Sequence, residues 1–218
     1  MPPPAVERIR ATLARLHQEG VVLGTSGSRF EIIPKSIPKQ LGDELAEYVQ
    51  REDARKTVEV GLAHGVSALH ICCALVELGG REVQHVTIDP HQQSGFESCG
   101  LGVLRTAGVR DLVEHHEERS QVVLPRLVTE RRTFDLAFVD GSHHFEEVFV
   151  DLSSLGQLAR PGGVIIADDY TLPAVAKAAQ FFVANRAWEL EGLLASRAAA
   201  LRLPPARPDR DFRDFVDF

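Results

Sequence analysis

Residues 57–78 read TVEVGLAHGVSALHICCALVEL, and the order of residue types there decides the fold. Thr57 to Val60 is a short apolar run of strand type. Gly61 and Gly65 then break it, spaced G-x-x-x-G. Ser67 to Leu78 follows as a helix that is apolar nearly all round, ended by Gly79 and Gly80. A helix with no polar face is a buried one. Strand, glycine loop and buried helix together make the opening unit of a sheet whose strands are crossed by helices.

The same alternation continues outward. Strands are expected at Gln84–Ile88, Asp111–Glu114, Phe134–Val139 and Gly163–Ala167. Helices are expected at Glu97–Ala107, from a Ser120 cap to Val128, at 145–158 on the face Phe145, Val148, Leu152, Leu155 and Leu158, and at Pro173–Asn185. The runs at 134–139 and 163–167 are continuously apolar, as in strands buried on both faces of a parallel sheet. Trp188 to Leu194 and Ala198 to Leu203 read as two strands joined by a short turn, a hairpin at one sheet edge. Upstream, Val6, Ile9, Leu13 and Leu16 give one helix, and Pro38 opens another with Leu41, Leu45, Tyr48 and Val49 on its apolar face. Residues 21–37, with Gly24, Gly27 and Pro34, read as an irregular, lid-like loop. The expected organisation is one domain: an N-terminal helix and loop (1–37), a core (38–203) and a tail (204–218). The tail exposes Phe212, Phe215 and Phe218, which pack on the body or on a second copy in a homodimer.

Bulk properties exclude several classes. At 218 residues the chain can bury a full core. Its formal charge of −7, with no basic patch, disfavours a nucleic-acid partner and favours a small molecule. No apolar stretch reaches the roughly 20 residues that cross a bilayer, and the charged, proline-rich start does not read as a signal peptide. Cys72, Cys73 and Cys99 match neither a disulfide framework nor a CxxC pattern, so buried thiols in a reducing, cytoplasmic setting are expected.

Two strand ends point to a ligand. Gly61 permits a tight turn and Gly65 a close approach at a helix start, at the carboxyl end of the first core strand where doubly wound sheets bind nucleotides. Ala63 stands where a dinucleotide fingerprint wants its second glycine, so pyrophosphate binding loses support. Asp89, in Thr87-Ile88-Asp89-Pro90, is placed to accept both hydroxyls of a ribose. Together they favour an adenosine-containing ligand without a pyrophosphate.

A third signal is acidic. Asp140 closes the strand at 134–139, and Asp168 and Asp169 close the next. If those strands are neighbours, three carboxylates crowd one sheet edge and repel one another. A hard divalent cation would resolve the repulsion: Mg2+, with Ca2+ or Mn2+ as alternatives. The competing reading has Asp169 capping the helix at Pro173 or facing water.

ExGxxxGxS at 59–67, the IDP strand end at 88–90, FDLAFVDGSH at 134–143 and RPGGVIIADD at 160–169 resemble, in that order, the class I S-adenosylmethionine-dependent methyltransferases. The resemblance spans about residues 36–203 and extends to the metal-dependent O-methyltransferases of the catechol and natural-product sugar type. It implies a Rossmann-like, doubly wound α/β fold with a seven-stranded, mostly parallel sheet ending in an antiparallel hairpin. It implies S-adenosyl-L-methionine as cofactor, held by Glu59, Gly61, Ala63, His64, Gly65, Ser67, Asp89, Ser120 and Asp140. It implies a divalent ion on Asp140, Asp168 and Asp169, and a small-molecule hydroxyl, phenolic or sugar-like, as acceptor. The catechol branch has a lysine three residues after the strand-end aspartate; this chain has His143, the residue that resembles the base of the sugar-methylating enzymes. His144 reads as the start of the following helix. Tyr170 and His91 are within possible reach of the site, and His115 and His116 are expected to lie away from it. The alternatives are a non-catalytic cofactor-binding module and an NAD(P)-dependent oxidoreductase.

Overall fold

The structure is a computed structural model that describes all residues except 1–3, 80–81, 207, 210 and 212, and of Pro4 the backbone alone. Gly80, the expected second stop of the buried helix, and Phe212 lie outside the described residues. Among the described residues, nine strands and seven α-helices follow in the order α1 (Pro4–Glu19), β1 (Val21–Leu23), β2 (Arg29–Glu31), α2 (Lys39–Arg51), β3 (Lys56–Val60), α3 (Val66–Leu78), β4 (Gln84–Ile88), α4 (Cys99–Ala107), β5 (Val113–His116), α5 (Ser120–Thr129), β6 (Phe134–Val139), α6 (Phe145–Leu158), β7 (Ala159–Ala167), α7 (Pro173–Arg186), β8 (Glu189–Leu194) and β9 (Ala198–Arg202).

Seven of the strands form one sheet in the order β5-β4-β3-β6-β7-β9-β8. β5, β4, β3, β6 and β7 run parallel, whereas β9 is antiparallel to both β7 and β8. This is the parallel sheet expected from the alternation, in the doubly wound form with a terminal hairpin that the resemblance implies. The strand order reverses beside β3, between β4 and β6, and that switch point opens a crevice at the strands' carboxyl ends.

Side chains of successive strand residues leave the sheet on opposite faces, and two apolar layers result. Val58, Val60, Val86, Ile88, Ala137, Val139 and Ile165 pack under α5, α6 and α7. Leu136, Phe138, Val164 and Ile166 pack under α1 to α4. Both faces of β6 and β7 are therefore dry, which explains why those strands are continuously apolar rather than alternating.

Several boundaries differ from the sequence expectation. Residues 21–37 are not an irregular loop throughout: β1 and β2 pair as a hairpin, Val22 opposite Phe30. Gly27, with φ +88°, makes the turn, and a Cβ on Gly24 would meet the Glu97 side chain and the Phe30 ring below 3.0 Å. α4 begins at Cys99 instead of Glu97, because Glu97 and Ser98 adopt left-handed φ values of 44° and 53°. β5 begins at Val113, after a single 3-10 turn at Arg110–Leu112, so His115 and His116 lie in the strand. β7 starts at Ala159, four residues early, in register with Phe134 before an irregularity.

Candidate active site

Hydrogen bonds between neighbouring strand ends set four residues at one level. Gly61 N–H donates to Ile88 O (2.8 Å), Asp89 N–H to His116 O (3.0 Å), Asp140 N–H to Val60 O (2.8 Å) and Asp168 N–H to Val139 O (2.9 Å). Each is the first residue past its strand, so the three aspartates and the glycine emerge together at the carboxyl edge of the sheet. At its β3–β4–β6 end the crevice opens into a cleft of about 370 Å3, lined by Gly61, Ala63, Asp89, Ser120 and Asp140 among others. A larger cleft, about 530 Å3, sits beside Trp188, Thr133 and Pro161, at the opposite ends of β6 and β7. It shares no residue with the strand-end crevice.

Five of the nine expected cofactor residues line the cleft. Gly61 earns its place by contact: with φ +94°, a Cβ there would lie 2.0 Å from the Asp140 carbonyl oxygen. Only a bare Cα lets β3 and β6 close at that level. Asp89 is buried and holds the loop. Its Oδ2 accepts from the N–H groups of Leu62 (3.1 Å) and Ala63 (2.7 Å) and from Gln92 Nε2 (3.2 Å), while Oδ1 accepts from His91 N–H (2.8 Å). A carboxylate oxygen accepts two hydrogen bonds readily, so Oδ1 keeps capacity for a ribose hydroxyl.

The other four do not line it. Glu59 and Ser67 are buried behind the loop, on the α3 side of the sheet. Ser67 Oγ donates to Glu59 Oε1, and Glu59 Oε2 meets His85 Nε2 at 3.2 Å. Thr57 Oγ1 completes the chain at His85 Nδ1, 2.9 Å. Burial of a carboxylate is tolerated only when it is hydrogen-bonded, and this network supplies the partners. His64 is buried, with Nδ1 3.0 Å from Ser36 Oγ and its ring between Phe30 and Phe96. It fastens the segment after the hairpin instead of touching the cleft, and burial holds it neutral by lowering its pKa. Gly65 sits at the N-terminus of α3, where Gly100 O would lie 3.0 Å from an added Cβ, so the close approach seen here is to α4. Ser120 lines the cleft but does not cap α5, whose N-cap is Arg119.

The hairpin is tied to this side of the molecule by Glu97. Its carboxylate accepts from Ser26 N–H (3.3 Å), Ser28 Oγ (2.7 Å) and Ser26 Oγ.

At the β6–β7 end of the crevice the expected trio of carboxylates does not converge on an ion-sized space. Asp168, with a fully buried side chain, is taken by Arg197: Nε donates to Oδ1 and Nη2 to Oδ2, both 2.7 Å. Nη2 also reaches Asp169 Oδ1 at 2.9 Å. Asp169 turns toward this partner through a left-handed φ of 51°, a conformation aspartate tolerates better than most residues. Its other oxygen, Oδ2, lies 2.8 Å from His143 Nε2, and Asp140 Oδ1 lies 3.8 Å from the same nitrogen. The donor atoms that do gather, within 4.8 Å of one another, belong to Asp140, His143 and Asp169. The repulsion that suggested a cation is thus answered at Asp168 and Asp169 by a guanidinium.

The electrostatics follow from this packing. Burial pushes the Asp140 carboxyl up to about 6, with the Asp168 and Asp169 charges adding to it and His143 opposing. The neighbouring Asp140 and Asp169 carboxylates raise the pKa of the His143 imidazole against burial. With Nε2 directed at Asp169, Nδ1 of the exposed His143 ring has no protein partner among the described residues. His144 is the exposed N-cap of α6. Tyr170 N–H donates to Arg197 O at 2.8 Å, so Tyr170 anchors the arginine through its backbone. His91 lines the cleft. Arg197 itself was not legible as a site residue from local sequence. The signal that finds it is register: β7 and β9 pair Ala167 with Ala199, so two residues further on Asp169 faces Arg197.

The family profile described as "Methyltransferase domain" matches residues 58–170. Among curated relatives, the caffeoyl-CoA O-methyltransferase of Populus kitakamiensis is 28% identical over 141 residues, 62% of this chain and 54% of the relative. Tricin synthase 1 of Oryza sativa subsp. japonica is 33% identical over 131 residues, 57% of this chain and 49% of the relative. The chain spans 44–64% of the length of the curated relatives it matches. Among solved structures, the O-methyltransferase TomG from Streptomyces achromogenes, involved in tomaymycin synthesis and crystallised with SAM, superposes with a TM-score of 0.68. It is 22% identical, covering 94% of this chain and 92% of that one. The O-methyltransferase from Bacillus cereus in complex with SAH gives 0.63 at 17% identity, covering 93% and 90%. At these identities the structural matches speak for the fold.

Proposed function

This chain belongs to the methyltransferase-domain family, which its central 58–170 segment matches, and from that premise we propose that it is an S-adenosylmethionine-dependent O-methyltransferase acting on a hydroxyl of a small molecule, phenolic or sugar-like. The observation that carries the reading is the common level of Gly61, Asp89, Asp140 and Asp168 past their strands, with a cleft at the switch point whose lining runs to Ser142, the residue before His143.

The cofactor supplies an electrophilic methyl group on a sulfonium, which an oxygen nucleophile displaces in line. The chain's residues bind and orient. The spare acceptor capacity of Asp89 Oδ1 suits a ribose hydroxyl, Ser120 lines the cleft beyond it, and Gly61 and Ala63 present backbone without bulk. The acceptor hydroxyl must lose its proton as the new bond forms. His143 is the group to take it, through Nδ1, while Asp169 holds the ring by Nε2 in the manner of a carboxylate–imidazole pair.

The expected divalent ion on Asp140, Asp168 and Asp169 does not fit these donors, because both oxygens of Asp168 are bonded to Arg197.

Isothermal titration with S-adenosylhomocysteine tests the cofactor, with binding expected in the micromolar range. Incubation with S-adenosylmethionine and a panel of catechols, phenolic acids and glycosides, read by mass spectrometry, tests transfer. His143→Ala is expected to keep cofactor binding and lose turnover by roughly 10²–10⁴-fold. Absence of cofactor binding would overturn the reading; unchanged turnover in the variant would remove His143 from it.

A further inference from the structure

We infer that Arg197 takes the place expected for a divalent cation: its guanidinium is the built-in counter-charge of the Asp168–Asp169 pair and occupies the carboxylate oxygens that a bound metal ion would need. The inference concerns the site proposed above for methyl transfer and rests on that reading only for where catalysis occurs.

Geometry carries it. Of the four oxygens on Asp168 and Asp169, three are bonded to Arg197 at 2.7, 2.7 and 2.9 Å, and the fourth meets His143 Nε2 at 2.8 Å. Asp168 Oδ1 additionally accepts from Asp169 N–H at 2.8 Å. A guanidinium fork matched to both oxygens of one carboxylate is a shape only arginine provides, and it is among the strongest side-chain pairings. A hard divalent ion needs several open oxygen ligands. To recruit Asp168 it would have to strip a guanidinium from a buried carboxylate.

Nor is Arg197 a surface arm that happens to fall inward. The β8–β9 turn places Ala195 and Ser196 at φ 44° and 58°, the two-residue geometry that suits a tight hairpin. Arg197 N–H then donates to Leu194 O (2.9 Å), and Arg197 O accepts from Tyr170 N–H (2.8 Å). The turn is also held from outside, where Ala195 N–H donates to Glu44 Oε2 at 2.7 Å. Both backbone groups of Arg197 are fixed, in the turn leading into the strand whose register, continued two residues, puts it opposite Asp169.

The remaining donor set of Asp140, His143 and Asp169 does not offer an alternative seat. Both Asp169 oxygens are engaged, and an ion there would displace the hydrogen bond on His143 Nε2 while lying beside the guanidinium. Like charges at such separations repel strongly where water is scarce.

The test is cation binding by the full chain, measured without turnover, so it can fail independently of the proposed activity. Mn2+ titration is followed by electron paramagnetic resonance of the free ion, together with thermal melting with and without EDTA or Mn2+. The wild type is expected to show no stoichiometric Mn2+ site and no change in melting. Arg197→Ala leaves the carboxylates uncompensated. It is expected to bind one Mn2+ tighter than wild type by a factor on the order of 100, from loss of a unit positive charge a few ångströms away, and to melt higher when Mn2+ is added. The double variant Asp168→Asn/Arg197→Ala is expected to lose that gain. If Arg197→Ala does not fold, Arg197→Gln, which keeps a hydrogen bond to Asp168 but no charge, carries the same readout. A stoichiometric Mn2+ site in wild type that Asp168→Asn abolishes would overturn the inference. So would a folded Arg197→Ala or Arg197→Gln that binds Mn2+ no better than wild type.

Discussion

Gly61 shows at the residue scale how one side chain decides whether the site exists. Its left-handed φ and the 2.0 Å approach of the Asp140 carbonyl to any Cβ combine two separate penalties, backbone strain and overlap with backbone that cannot rotate away. Gly61→Ala is expected to lower stability by roughly 2–4 kcal/mol and to remove cofactor binding. Gly102→Ala, where a Cβ meets nothing within 4 Å, is the control: it should leave stability unchanged or raise it by roughly 0.5–1 kcal/mol. Urea unfolding of both variants checks this, and equal losses at the two glycines would refute the packing argument. Gly61 was legible in the sequence because a glycine directly after an apolar strand has few other uses. Glu59, Ser67 and His64 were legible as important but not in kind. Their polar atoms satisfy one another behind the loop, and nothing in a linear motif says on which side of the sheet a side chain emerges relative to a ligand.

Elements meet most tellingly where α6 packs on α5. Asp151 of α6 is buried under Ser120 and Gln121, and burial pushes its carboxyl up to about 7, with the Ser120 and Gln121 hydrogen bonds opposing. The folded state therefore holds the proton more tightly than an unfolded chain does, whose value is near 3.8. The stability this contributes is complete below about pH 4 and is lost as pH rises through about 7. Asp151→Asn keeps the shape and removes the titration. Relative to wild type it should gain roughly 1–3 kcal/mol more at pH 8 than at pH 5, measured by urea unfolding at the two pH values; parallel behaviour would show that Asp151 does not titrate between them. The helices themselves were well read from periodicity: α6 buries Val148, Leu152, Leu155 and Leu158 of the face expected of it and leaves only Phe145 of that face exposed. The hairpin β1–β2 was not. Three-residue strands lack a readable period, and this pair is held by turn geometry and by Glu97, 71 residues from Ser26 in sequence.

The whole molecule is a sheet sealed on both faces with its chemistry at one edge, so a ligand at that edge should stabilise all of it. Saturation with S-adenosylhomocysteine at a hundredfold excess over its dissociation constant adds about 2.7 kcal/mol by mass action. For a chain of this size that corresponds to a rise in melting temperature of roughly 5–10 °C, read by differential scanning fluorimetry; no rise at saturating ligand would mean that the cleft does not hold it. The amino-acid sequence alone determined the order of the core strands and helices after residue 38, the burial of the central strands and the level at which Gly61, Asp89, Asp140, Asp168 and Asp169 emerge. Those properties follow from local periodicity and from where each apolar run stops. Only the tertiary structure decided what the aspartates face. The neighbour of β7 is set by a chain reversal some thirty residues downstream, and its antiparallel register delivers Arg197 to Asp169 and Asp168. A carboxylate's partner is chosen by distance in space, and charge neutralisation by a guanidinium or by an ion looks the same in sequence until that distance is known.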